Sequence, residues 1–96
     1  MRPSQALELH REAIRRIVLE NRSTNPRVFG SVLHEHDTES SDLDLLIDPT
    51  PDTSLMDVAS IQGQLEDILG IPVDVLTPLS LPNSFRGRVV AEARPV

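Results

Sequence analysis

Two carboxylates, Asp42 and Asp44, are separated by one leucine and follow a Gly-Ser pair, Gly30-Ser31, after an interval of ten residues. In an extended strand alternate side chains share a face. Asp42 and Asp44 then stand on one side, about 7 Å apart along the chain. Two acids that close both ionise comfortably only beside a cation. Oxygen ligands suit Mg²⁺, which keeps several waters and commonly binds through one or two carboxylates plus substrate phosphates. The D-x-D therefore reads as half of a metal site for phosphoryl transfer, where a pair of ions would activate the attacking oxygen and steady the leaving one. Gly30-Ser31 supplies the other half. A glycine at a strand end lets the backbone approach a ligand. The serine offers a hydroxyl and an N–H to phosphate, and a helix beginning there would add the anion preference of its N-terminus. Each part alone has a plainer reading: a solvated strand end for D-x-D, a common turn dipeptide for Gly-Ser. Their combination, between two apolar runs, is what points to chemistry.

The elements that must position these residues follow from the apolar pattern. Leu43, Leu45 and Ile47 alternate as one buried face of a strand over 43–47. A short strand over 27–29 runs into Gly30, and a helical turn over 31–34 follows it. In Val73-Asp74-Val75-Leu76 the valines face inward, so Asp74 shares the side of Asp42 and Asp44. A helix lies between those strands, with Ser54 as N-cap, Asp57 at the capping-box place, and Gly70 then Pro72 as a stop. Val58, Ile61, Leu65, Ile68 and Leu69 form its buried stripe. Strand–helix–strand makes the two strands parallel. An N-terminal helix spans 4–21, capped by Ser4, with Leu7, Ile14, Ile17 and Val18 inward; 21–26 is a polar break. A last helix covers 83–93, with Phe85 and Val89 buried. The predicted architecture is α/β: three helices packed on one face of a small three-stranded mixed sheet, the acids on its open face.

The 96 residues make one domain, 1–96. With no cysteine there is no disulfide framework and no thiolate metal site. No apolar run approaches membrane-spanning length, and no signal-like apolar region follows the N-terminus, so a cytoplasmic protein is expected. Phe29 and Phe85 are the only aromatics, too few for a single-strand nucleic-acid platform. The formal charge of −6 disfavours nonspecific nucleic-acid binding. All nine basic residues are arginine, and none lies between Arg27 and Arg86, an interval that holds eleven acids. A negative middle of that kind attracts divalent cations or a basic partner. Arg11, Arg15 and Arg16 read as a solvated helix face, with a partner or nucleotide contact as the alternative. His34 and His36 sit in an acidic loop; a zinc reading is weak without cysteine or a helical His pair.

F-G-S, the D-L-D-L-L-I-D strand and the later V-D-V-L strand together resemble the signature of the DNA polymerase β-like nucleotidyltransferase superfamily. The resemblance covers nearly the whole chain and is closest to the minimal nucleotidyltransferases encoded beside HEPN-domain proteins. It implies transfer of AMP from ATP, with Asp42, Asp44 and Asp74 as the catalytic acids holding two Mg²⁺ ions, and Gly30 and Ser31 binding the triphosphate tail. By the same resemblance the acceptor is a cognate HEPN ribonuclease toxin, neutralised by adenylylation in a hetero-oligomer. Two alternatives stand beside it: an antitoxin acting by binding alone, and a nucleotidyltransferase acting on a small molecule such as an aminoglycoside. Where the family pattern carries Arg-Gly, this chain has His34-Glu35, which puts a negative charge near the expected triphosphate.

Overall fold

A computed structural model describes all residues, 1–96. The acid-bearing strand is the second of four. In chain order the elements are α1 (Pro3–Leu9), α2 (Arg11–Glu20), β1 (Ser23–Phe29), β2 (Leu43–Pro49), α3 (Leu55–Leu69), β3 (Val73–Leu76), a 3₁₀ turn (Pro78–Ser80), α4 (Asn83–Glu92) and β4 (Arg94–Pro95). The sheet order is β3-β2-β1-β4; β2 pairs parallel with β3 and antiparallel with β1, so the sheet is mixed as the sequence predicts.

Leu43, Leu45 and Ile47 are fully buried and join Val28, Val73 and Val75 on one face of the sheet. Ala6 and Leu7 of α1, Ile14, Ile17 and Val18 of α2, and Ile61, Leu65 and Leu69 of α3 pack on them. Burying a side chain of this kind contributes roughly 1.5–3 kcal/mol each before entropy is charged against it. α3 starts on the expected capping box: Asp57 N–H donates to Ser54 Oγ at 3.2 Å, and Ser54 N–H donates to Asp57 Oδ2 at 2.9 Å. It ends at Gly70 in the left-handed conformation (φ 70°).

Five features depart from the sequence reading. The fourth helix is not on the helical face. Leu46, between Asp44 and Asp48 on the acid side, is fully buried against Leu81 and Val89, so α4 covers the sheet's other face. The run Leu45-Leu46-Ile47 leaves no polar side to that part of the strand. The N-terminal helix is two helices, broken at His10 (φ −125°, ψ 22°). Its N-cap is Arg2, with Pro3 in the first turn, and Ser4 instead donates its N–H to Asp37 Oδ2 at 2.9 Å. β1 begins at Ser23, because a register shift between Thr24 and Arg27 absorbs Pro26 within the strand. β4 is a two-residue strand pairing Arg94 and Pro95 with β1. Ile68 and Phe85, expected inside, are 41% and 37% exposed.

β3 is an edge strand whose outward amides are occupied. Val73 N–H donates to Glu66 Oε2 at 3.1 Å and Val75 N–H to Gln62 Oε1 at 3.4 Å, both acceptors lying one turn apart on α3. No helix is long and apolar enough to cross a membrane.

Candidate active site

β2 carries its acids to the face that α1–α3 leave free. Asp44 lies directly opposite Asp74 across the parallel ladder, and opposite Phe29 across the antiparallel one. Residues so paired share a face with Cβ atoms about 5 Å apart. Asp42 lies one residue before β2 and is exposed, as is Asp74; Asp44 is half-buried. Asp48, on the same side, is separate from this group. Its carboxylate takes Arg27 as ion-pair partner and accepts from Asn25 Nδ2 at 3.0 Å. None of Asp42, Asp44 and Asp74 has such a cation.

Electrostatics mark the same place. The Asp44 carboxyl is pushed from an ordinary 3.8 up to about 6, by burial first, then by the charges of Asp74 and Asp42, and by a hydrogen bond shared with Asp74. A half-buried acid beside two others and no arginine is a site that lacks a positive charge. Its donor set, three carboxylates, fits Mg²⁺. No three acidic or imidazole groups stand close enough together to hold an ion by themselves; Mg²⁺ commonly completes its ligands with phosphate and water.

Gly30 is fitted to Asp44. Its backbone is left-handed (φ 75°), and a Cβ there would stand 3.2 Å from Asp44 Cγ and closer still to Oδ2. Only glycine lets the turn pass beneath that carboxylate. Ser31 opens the turn; its carbonyl accepts from His36 N–H at 2.8 Å and that of Gly30 from His34 N–H at 3.3 Å. So the predicted turn after the serine is present, and Gly30 adjoins Asp44. Glu35 closes that turn with φ 59°, a left-handed conformation on a non-glycine residue.

Beside Gly30 a cleft of about 500 Å³ opens between the turn and α4, lined by Phe29, Gly30, His34, Phe85, Arg88, Val89 and Glu92. His34 Nε2 reaches Glu92 Oε2 at 3.4 Å across it. The sequence reading did not gather these residues. The signal was there in the spacing of Phe85, Arg88, Val89 and Glu92, one helical stripe, and in the doubly buried run at Leu46 that required a cover. His34 and His36 are exposed with ring centroids 6.4 Å apart, and they join no metal-holding group. Arg11 and Arg16 pair with Glu8 and Glu20, and Arg15 donates to the Val96 carbonyl at 2.7 Å. Those arginines form the solvated surface expected.

The model of a family described as "Polymerase beta, Nucleotidyltransferase" matches residues 12–96. A Methanocaldococcus jannaschii protein, provisionally named a protein adenylyltransferase, is 37% identical over 65 residues, covering 68% of this chain and 66% of its own length. Protein adenylyltransferase MntA of Thermococcus cleftensis is 34% identical over 65 residues, with 68% and 66% covered. The chain thus spans about two thirds of the length of these relatives. Among solved structures, one provisionally described as a minimal nucleotidyltransferase superposes with a TM-score of 0.86 at 34% identity, over 97% of this chain and 95% of that one. A chain of a toxin–antitoxin structure with AMP-PNP superposes with a TM-score of 0.73 at 17% identity, over 88% and 69%, a likeness of fold.

Proposed function

The chain belongs to the polymerase β nucleotidyltransferase family, and on that footing we propose that it is a protein adenylyltransferase and antitoxin, moving AMP from ATP to a hydroxyl of a cognate HEPN ribonuclease toxin. We take residues 1–96 as one nucleotidyltransferase domain at work in the cytoplasm, in a hetero-oligomer with that toxin. One observation carries the reading. Asp44 and Asp74 face each other beside Gly30, without a cationic partner, while the neighbouring Asp48 is neutralised.

In this reading Asp42, Asp44 and Asp74 would hold Mg²⁺, which when bound supplies positive charge against the triphosphate and the incoming oxygen. The chain's own residues do the rest. Gly30 and Ser31 seat the triphosphate tail, the glycine by permitting close approach. Asp74, on the exposed side, draws the proton from the acceptor hydroxyl. The bond from the α-phosphorus to the bridging oxygen breaks, the bond to the acceptor oxygen forms, and pyrophosphate leaves with the electron pair. Such transfer depends mostly on positioning and charge neutralisation, so few residue types are needed. The acceptor, a tyrosine hydroxyl, rests on family likeness alone.

One observation favours a second reading, neutralisation by binding without transfer. Where the family pattern carries Arg-Gly the turn after Gly30-Ser31 has His34-Glu35, so it brings no arginine to the phosphates. A single experiment separates the two. The protein and its HEPN partner are incubated with Mg-ATP, and the partner's intact mass is measured. Added AMP, lost with Asp42→Asn or Asp44→Asn, supports transfer. An unmodified but silenced partner, with both variants still neutralising, supports binding alone.

A further inference from the structure

We propose that Arg88 on α4 is the phosphate-gripping residue of the nucleotide cleft, closing on the triphosphate from the wall opposite Gly30; this rests on the nucleotidyl-transfer reading above. A triphosphate brought to three carboxylates needs positive groups from the chain as well as from its own cation. Arginine presents a planar fork suited to phosphate. Most arginines here are already engaged. Arg11, Arg16, Arg22 and Arg27 each have an acid partner. Arg15 donates to the Val96 carbonyl, and Arg86 donates to the carbonyls of Pro78, Leu79 and Leu81.

Arg88 joins none of the ion pairs, yet it lines the cleft that Gly30 also lines. Its natural helical partner would be Glu92, one turn on. Glu92 turns instead to His34 across the cleft. That leaves the guanidinium exposed and without an acid beside the phosphate-seating turn. Arg94, also outside the ion pairs, lines a different cavity with Glu8, Arg11 and Glu35. The geometry assigns the task to Arg88 and not to the neighbouring arginines of the C-terminal segment.

The test compares Arg88→Ala, Arg88→Lys and the control Arg94→Ala for binding of Mg-AMP-PNP and of AMP by calorimetry. Arg88 is exposed and unpaired, so its variants should keep the parent melting temperature, which is checked first. Arg88→Gln serves if the alanine variant does not fold. The expected result is a roughly 10- to 100-fold weaker affinity of Arg88→Ala for Mg-AMP-PNP. Affinity for AMP should change less than threefold, Arg88→Lys should recover part of the loss, and Arg94→Ala should match the parent. Equal weakening for AMP and Mg-AMP-PNP would overturn the proposal, since it would mean a general loss of the cleft. Parent-like affinity of Arg88→Ala for Mg-AMP-PNP would overturn it while leaving nucleotidyl transfer intact. Failure of the parent chain to bind Mg-AMP-PNP at all would overturn the transfer reading itself.

Discussion

Asp44 and Asp74 occupy facing positions on adjacent parallel strands, so the crossover through α3 brings two acids thirty residues apart in the chain onto one patch of sheet. With no ion present they oppose each other, and the fold holds them together through the packing of Leu43, Leu45, Val73 and Val75 on the far side.

That opposition has a sign. Asp44 in the folded chain titrates near 6 against an ordinary 3.8. Between those values the folded state holds a proton that the unfolded state has released, so stability falls as pH rises through that window and is level above it. Asp44→Asn should therefore stabilise the metal-free protein at pH 7 by about 1–2 kcal/mol, after discounting for solvent screening. The same variant should abolish adenylyl transfer. Thermal unfolding in EDTA at pH 4.5 and 7 checks the first point. Added Mg²⁺ should raise the parent's melting temperature more at pH 7 than at pH 5, and should do so little for the variant.

Gly30→Ala should cost about 1–3 kcal/mol, because the new methyl meets the Asp44 carboxylate and the backbone is left-handed. Gly63 is the internal comparison: it lies within α3 with nothing within 4 Å of its would-be Cβ. Gly63→Ala should stabilise by about 0.5–1 kcal/mol. Chemical denaturation of both variants reads the contrast; equal effects of one sign would refute the Asp44 fit.

Glu35→Gly should raise stability by about 0.5–1 kcal/mol, the relief of a left-handed side chain partly offset by glycine's freedom in the unfolded state. Glu35 lines the cavity of Arg11 and Arg94 and not the cleft that Gly30 lines, so Mg-AMP-PNP affinity should change less than about threefold. Calorimetry on the variant measures this; a roughly tenfold tighter affinity would mean that the Glu35 charge reaches the phosphates.

Asp57 behaves opposite to Asp44. The hydrogen bond from Arg22, with help from the Ser54 backbone, holds its carboxyl down at about 2. Its contribution to stability is complete above pH 4 and is lost as pH falls from about 4 towards 2. Asp57→Asn should lower the melting temperature at pH 7 and flatten the acid limb of the stability profile. Arg22 is left-handed (φ 59°), and its carbonyl accepts from Thr50 Oγ1 at 2.9 Å and from Thr53. The same substitution therefore loosens the junction of α2, the 50–53 loop and α3.

Much of this was legible in the chain because local rules and burial agree there. Leu43, Leu45 and Ile47 alternate against Asp42 and Asp44, and Gly70-Pro72 stops a helix that Ser54 and Asp57 start. Asp74 was assigned its face by the valines flanking it, and the ladder puts it opposite Asp44. What stayed hidden has a physical cause in each case. α4 buries only Val89, too little apolar surface to say from the sequence which side of the sheet it covers. β4 is too short for any period, and Pro95 argues against a strand until it is seen at an edge. The break at His10 has no proline or glycine to mark it. The cleft was hidden because it needs His34 and Glu92, far apart in sequence, to meet.

Gln62 and Glu66 do more than fasten α3 beside its strand. By occupying the outward amides of β3 they deny that margin to any incoming strand. The opposite margin ends in Pro95, which has no amide to offer. With fewer free amides at either margin, the sheet is a poor template for a strand from another copy or for an extended peptide.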